Sequence, residues 1–289
     1  MWHRLAGLVR RFAGLNQSDS SYADAATSEQ IQPEISNAYN RSLDLLDNVV
    51  RECIFVSQSY QGLLTPTTKH FYASVLFTAL ISRGVSLVIL APHSPWAKKP
   101  IEHWDYASAA IIVRSMMEIR AAFYYLCVDE CSDEEWQCRW NLLNLHDCMS
   151  RIRLFTEGTQ EELEQLDGFQ TQAKELRERL RRNGHFIQLQ HQKHLLNGQK
   201  AYLYPIEDIL EKAGLEKRTY RYLNILFSSA VHGLPMSYYR MGEQERGRGL
   251  VSPVEQGYTS MCHSLAATLL VRTRDDVQDL FKDIIPPNK

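Results

Sequence analysis

No stretch of this chain alternates apolar and polar residues for long enough to make a half-buried strand, and that absence confines the expected fold to helices. Helix-start signals recur in its place. Thr65-Pro66 offers an N-cap followed by proline at the first helical position, and Ser132 with Glu135 and Thr159 with Glu162 read as capping boxes. Ser252-Pro253-Val254-Glu255 combines both devices. The spacing predicts helices near 33–61, 66–91, 101–130, 133–157, 160–183, 205–213, 216–232 and 253–282. Only Gln199 to Leu203 is left for a short hairpin. The expected fold is therefore all-α, a single helical bundle over residues 33–289. An amphipathic helix and a flexible linker precede it over residues 1–32.

The N-terminal MWHRLAGLVRRFAGL sets Trp2, Leu5, Leu8, Val9 and Phe12 against Arg4, Arg10 and Arg11. Such a helix docks on its own protein or a partner protein, or rests on a membrane surface. It lacks the continuous apolar core of a secretory signal. Asn16 to Gln32, rich in Ser, Asp, Ala and Gln, has the composition of a linker. His70 to Pro92 is long enough to span a bilayer, but Arg83 near its middle would be costly there. The reading is a fully buried core helix, with Arg83 paired or reaching solvent and no integral membrane segment.

A formal net charge of -2 advertises no polyanionic partner, so an RNA or other phosphate-containing ligand would need a local basic patch. The six cysteines form no short metal knuckle, which points to free thiols in a reducing cytoplasm and to no metal site. His191 and His194 can share a helical face, but no carboxylate or cysteine close by completes a ligand set. His146-Asp147-Cys148 is not a local dyad, because adjacent helical residues point apart. No Gly-rich phosphate loop, dinucleotide fingerprint or serine elbow is present, and no cofactor is expected.

Two helices carry something more specific. In YASAAIIVRSMMEIRAAFYYL, Tyr106 to Leu126, apolar residues occur on nearly every side, the mark of a central helix. Ala107, Ala110, Arg114, Glu118, Ala121 and Tyr125 nevertheless follow at three- and four-residue steps, so charges sit in a stripe of small residues. Either Arg114 and Glu118 pair with each other along the helix, or they face a site. In YRYLNILFSSAVHG, Tyr220 to Gly233, the residues Arg221, Asn224, Ser228 and His232 line up on one face. His232 is then a proton-transfer group in the last turn, or only the residue before a left-handed Gly233 cap and the stop at Pro235. The loop from Ser237 to Gly249 adds Arg240, Arg246 and Arg248, as a mobile connection, an RNA contact or a cover.

The Arg114-Ser115-x-x-Glu118 segment and the later Tyr220-Arg221 with Ser228-x-x-x-His232-Gly233 resemble a broad bacterial family of uncharacterised, mainly helical proteins. The resemblance covers about Ser36 to Arg240 and implies a fold and a site, not a reaction. A more distant likeness is to HEPN-type helical ribonucleases of toxin and phage-defence systems, which implies a homodimer with the active site across it. In this chain Arg221 lies further ahead of His232 than in that motif. Two functions follow as expectations. One is a metal-independent ribonuclease or defence effector, with His232 as acid/base, Arg114 and Arg221 on phosphate, Glu118 orienting the histidine and Ser228 beside it. Asn224, Tyr125 and Arg240 would then contact the ligand. The other is a noncatalytic interaction or ligand-sensing module in which these residues form a structural network.

Overall fold

The computed structural model describes residues 28–238 and 247–284, so the amphipathic N-terminal segment and Arg240 lie outside the described residues. The elements are α1 (Ser28–Ser59), α2 (Thr68–Leu90), α3 (Tyr106–Phe123), α4 (Asp133–Thr156), α5 (Gln160–Leu163), α6 (Leu166–Arg182), α7 (Gly184–Ile187), α8 (Gln192–Leu196), α9 (Ile206–Lys212), α10 (Lys217–Val231), α11 (Pro235–Tyr238) and α12 (Pro253–Phe281). A π-helical turn, Tyr124–Val128, follows α3. The class is all-α, and the described residues contain no strand beyond an isolated bridge between Trp104 and Gly249. Gln199 to Leu203, the stretch left for a short hairpin, forms no strand and carries bends at Ala201 and Leu203.

Several start signals work as their chemistry requires. Ser132 accepts from the Glu135 N–H at 3.1 Å, and Glu162 returns to the Thr159 N–H at 2.8 Å. Thr65-Pro66 does not start α2; Thr67 occupies the cap, with Pro66 before it. Ser252 caps α12 by accepting from the Glu255 N–H at 3.2 Å, but the Glu255 carboxylate does not return to the cap. It is fully buried and accepts from the N–H groups of Tyr106 at 3.2 Å and Gly247 at 2.7 Å.

The helices divide into two compact units, one of Met1–Cys127 with Ala213–Lys289, the other of Val128–Lys212. In the first, α12 is the centre, packed on α1, α2 and α3 and buried along nearly all its length. The sequence pattern assigns that role to α3, which instead keeps a solvent side at Ile111. Hydroxyl residues disguise α12. Ser260, Thr268 and Thr273 are buried, yet each hydroxyl donates to the carbonyl four residues back, at 2.6, 2.8 and 2.8 Å. A hydroxyl satisfied in this way costs little in a core.

Helix α2 packs on α1, α3 and α12. Among the described residues it alone is long and apolar enough to cross a membrane. It is not the fully buried helix its composition suggests, since Phe71, Val75, Ile89 and Leu90 are exposed. Gly84 sets its closest approach. A Cβ there would stand 2.9 Å from both Leu270 of α12 and Val50 of α1. Gly84→Val is therefore expected to lower stability by about 1–3 kcal/mol through overpacking, read as a fall in the urea midpoint at unchanged slope.

In the second unit α4 pairs with α6, with α5, α7 and α8 against them. Leu142, Leu145, Leu176, Leu180 and Phe186 lead its core, joined by Cys138 and Cys148. The helix predicted over 160–183 is interrupted after Leu163 and resumes at Leu166. None of the six cysteines is in a disulfide, and burial pushes the thiols of Cys53, Cys127, Cys138 and Cys262 up to about 12. These thiols are packing groups.

Candidate functional site

Helix α10 lies against α3, so the two motif-bearing helices are neighbours. On α3, Arg114 donates to Glu118 one turn on, within the helix as the four-residue spacing allows. The pair faces solvent in part, with one fifth of Arg114 and two fifths of Glu118 exposed. Ser115, next to Arg114, accepts from Arg83 Nε of α2 at 2.8 Å, and Arg83 Nη1 donates to the Ala79 carbonyl at 3.0 Å. Tyr125 sits in the π-helical turn and is fully buried.

On α10, Thr219, Tyr220, Leu223, Phe227 and Ser229 form the buried face, and a hydrophobic stripe at this spacing is what holds the helix down. Arg221 is exposed, while Asn224 and Ser228 are half-buried with Ser228 Oγ 3.5 Å from Asn224 Oδ1. His232 is the C-cap residue; its N–H donates to the Ser228 carbonyl at 3.0 Å and its imidazole is exposed. Gly233 follows in the left-handed region at φ 56°, and Leu234 N–H closes on Ser229 O at 3.0 Å. The helix stop thus accounts for Gly233. It does not engage the imidazole, which has no hydrogen-bond or ion-pair partner among the described residues.

The two polar faces are on adjacent helices but are not bonded together. Glu118 is held by Arg114, and no hydrogen bond joins Arg114 or Glu118 to Asn224, Ser228 or His232. Among the described residues no group of three or more His, Cys, Asp or Glu is placed to hold a metal ion. The His191 and His194 rings stand 6.3 Å apart, centroid to centroid.

The family model described as a family of unknown function, DUF5677, matches residues 70–248, which take in both motifs. The chain belongs to the DUF5677 family. The DUF5677 match runs from α2 to just before α12, so the helix at the centre of the first unit lies outside it. No curated protein and no solved structure matches the chain.

Sequence reasoning missed two features of this DUF5677 protein. One is the reach of Arg83 to α3: the sequence reading has it paired or reaching solvent, and its described partners are a hydroxyl and a carbonyl, with no ion pair to a carboxylate. The other is an ionic cluster within the unit Val128–Lys212. There Arg139, only 1% exposed, donates to Asp129 at 2.8 Å and to Glu135 at 2.6 and 3.0 Å. The Tyr204 hydroxyl donates to Glu135 at 3.0 Å, and the Arg139 guanidinium lies 5.8 Å from the Tyr204 ring. Burial alone would raise the Glu135 carboxyl, but hydrogen bonds from Arg139 and Tyr204 leave it below its usual range. The four-residue step from Glu135 to Arg139 was the one available signal; Asp129 and Tyr204 join only through the fold.

Proposed function

We propose that this protein is a helical binding module for a phosphate-containing ligand, RNA first among them, on the surface shared by α2, α3 and α10. The observation that carries this reading is Arg83. A half-buried guanidinium with only Ser115 Oγ and Ala79 O as described partners keeps its charge uncompensated, and burying a charge is costly unless an opposite charge meets it. Arg114 and Glu118 beside it cancel each other, which leaves one net positive charge at the cluster. Planar guanidinium groups suit phosphate oxygens, which accept two parallel N–H bonds.

Cleavage of that ligand is the second reading, and His232 is what favours it. An exposed imidazole without a partner is available to take and give a proton next to a bound phosphodiester. In that case Arg114 and Arg221 would hold the phosphate, and a metal-independent ribonuclease acting in defence or as a toxin would follow. Glu118 would first have to leave Arg114 to orient the histidine, which is why binding ranks ahead of catalysis.

The test is fluorescence anisotropy with a single-stranded RNA oligonucleotide, alongside total-RNA integrity and growth on expression. Wild type is expected to bind with an affinity that falls as salt rises, and Arg83→Gln to bind roughly tenfold more weakly. His232→Ala and Glu118→Gln are expected to keep binding and leave cellular RNA intact, as wild type does. RNA decay with wild type that folded His232→Ala abolishes would make the protein a nuclease. Salt-independent binding, or none, would remove both readings.

A further inference from the structure

A recess of about 170 Å³ opens where the C-terminal end of α2, the N-terminal end of α3 and the N-terminal half of α12 meet, away from both motifs. Its walls are mainly apolar, from Leu87, Leu90, Ala91, Pro92 and Ala109, with His103 and Ser108 adding polar groups. Two polar residues of α12 line it, Thr259 and His263, one turn apart and so on one face. Thr259 is 3% exposed and its hydroxyl has no hydrogen-bond partner among the described residues. That departs from the habit of its own helix, where Ser260, Thr268 and Thr273 all donate to the preceding turn. Buried hydroxyls without a partner are rare, because each forfeits a hydrogen bond it had in water.

His263 is 1% exposed, and burial pushes its imidazole down to about 3, so it is neutral. Its tautomer follows from Ser42. The Ser42 hydroxyl donates its single proton to the Tyr39 carbonyl at 2.7 Å, so towards His263 Nδ1, 3.5 Å away, it can only accept. This arrangement favours the tautomer with its proton on Nδ1, which leaves a lone pair on Nε2, and Nε2 has no described partner.

We propose that this recess binds a small, uncharged, mainly apolar molecule that carries one hydroxyl group, with the hydroxyl placed between Thr259 and His263. A hydroxyl both gives and accepts one bond, which matches an acceptor-only Nε2 and a threonine that can do either. A carboxylate has no proton for Nε2, and it would face Asp105. An ammonium would face Lys99, which is fixed at the mouth by donating to the carbonyls of Leu90 and Ala91 at 2.7 and 2.5 Å. The size fits a single ring, since apolar cavities of about 150 Å³ accommodate benzene.

Phenol and toluene are the probes, titrated calorimetrically into wild type and Thr259→Val while the His263 ring resonances are followed by NMR. Phenol is expected to bind wild type saturably and to shift the His263 resonances. Thr259→Val, which keeps the shape and removes the hydroxyl, should move the preference for phenol over toluene by about fivefold towards toluene, the worth of one hydrogen bond. Failure of phenol to bind wild type saturably, binding that leaves His263 unmoved, or an unchanged phenol-to-toluene ratio in Thr259→Val would each overturn the assignment. The wild-type titration needs no variant, so a folding defect in Thr259→Val does not shield the proposal. RNA binding is measured separately, and neither result depends on the other.

Discussion

Arg139→Ala is expected to destabilise the unit Val128–Lys212 by about 3–5 kcal/mol. The reason is less the loss of two ion pairs than what remains. Asp129 and Glu135 keep only one tenth and about one sixth of their side chains exposed, and both stand against the guanidinium that is being removed. Without it, two carboxylates face one site with little water to solvate them. Lys212, 3.4 Å from Asp129, is more than half exposed and cannot substitute for a buried fork of five donors. Combining Arg139→Met with Asp129→Asn and Glu135→Gln should recover much of the loss, because the charges then leave together. The measurement is hydrogen exchange of the α4 amides under native conditions, which reads this unit alone. A loss below about 1 kcal/mol in Arg139→Ala would mean that water already reaches the cluster. The deficit should also shrink as pH falls through the range where Glu135 protonates in the variant.

The same cluster shows what the sequence could reveal. Local chemistry was legible: Ser132 and Thr159 announce their helices, because a cap is settled within four residues. So was the Arg114–Glu118 pair, for the same reason. Glu255 shows where that reasoning ends. It has the position of a capping-box acid, yet its carboxylate serves Tyr106 and Gly247, residues that only the fold brings near. The centre of the first unit was misplaced because hydropathy counts a threonine as polar, whereas Thr268 and Thr273 satisfy themselves inside α12. For the candidate site, spacing identified which residues share a face on α3 and on α10. It could not say that Glu118 would be occupied by Arg114, that Tyr125 would be sealed in the core, or that Arg83 would arrive from α2.

Acidification from pH 7 to 5 is expected to weaken the unit containing α12 by up to about 1.4 kcal/mol for each pH unit below 6.5, with His263 responsible. The sign follows from the two states. In the unfolded chain the imidazole takes a proton near 6.5; in the folded protein burial holds it down to about 3. Between these values the unfolded state binds a proton that the folded state refuses, so stability is complete above 6.5 and drains as pH falls towards 3. The groups around the ring do not reverse this. Tyr39 and Ser42 of α1 are neutral there, Lys99 and Asp105 of the recess lining oppose each other, and His103, the remaining titratable residue of that lining, can only gain positive charge as pH falls, which works against protonating His263. Glu135 also loses stabilisation in acid, because its pKa is lowered in the folded state, but that loss begins only near its usual value of 4.5 and concerns the other unit. The interval from 6.5 to 5 therefore separates His263 from Glu135, and the comparison with a His263 variant separates it from His70, which contacts the Leu280 carbonyl of α12, and from His103 of the recess lining. His263→Gln, close in size and without a titrating group, should flatten the slope in that interval whatever it does to stability at pH 7. The measurement is hydrogen exchange of the α12 amides at pH 7, 6 and 5, corrected for the intrinsic rate. Equal slopes for wild type and His263→Gln would show that the imidazole is not held neutral, and would also remove the acceptor on which the proposed recess ligand depends.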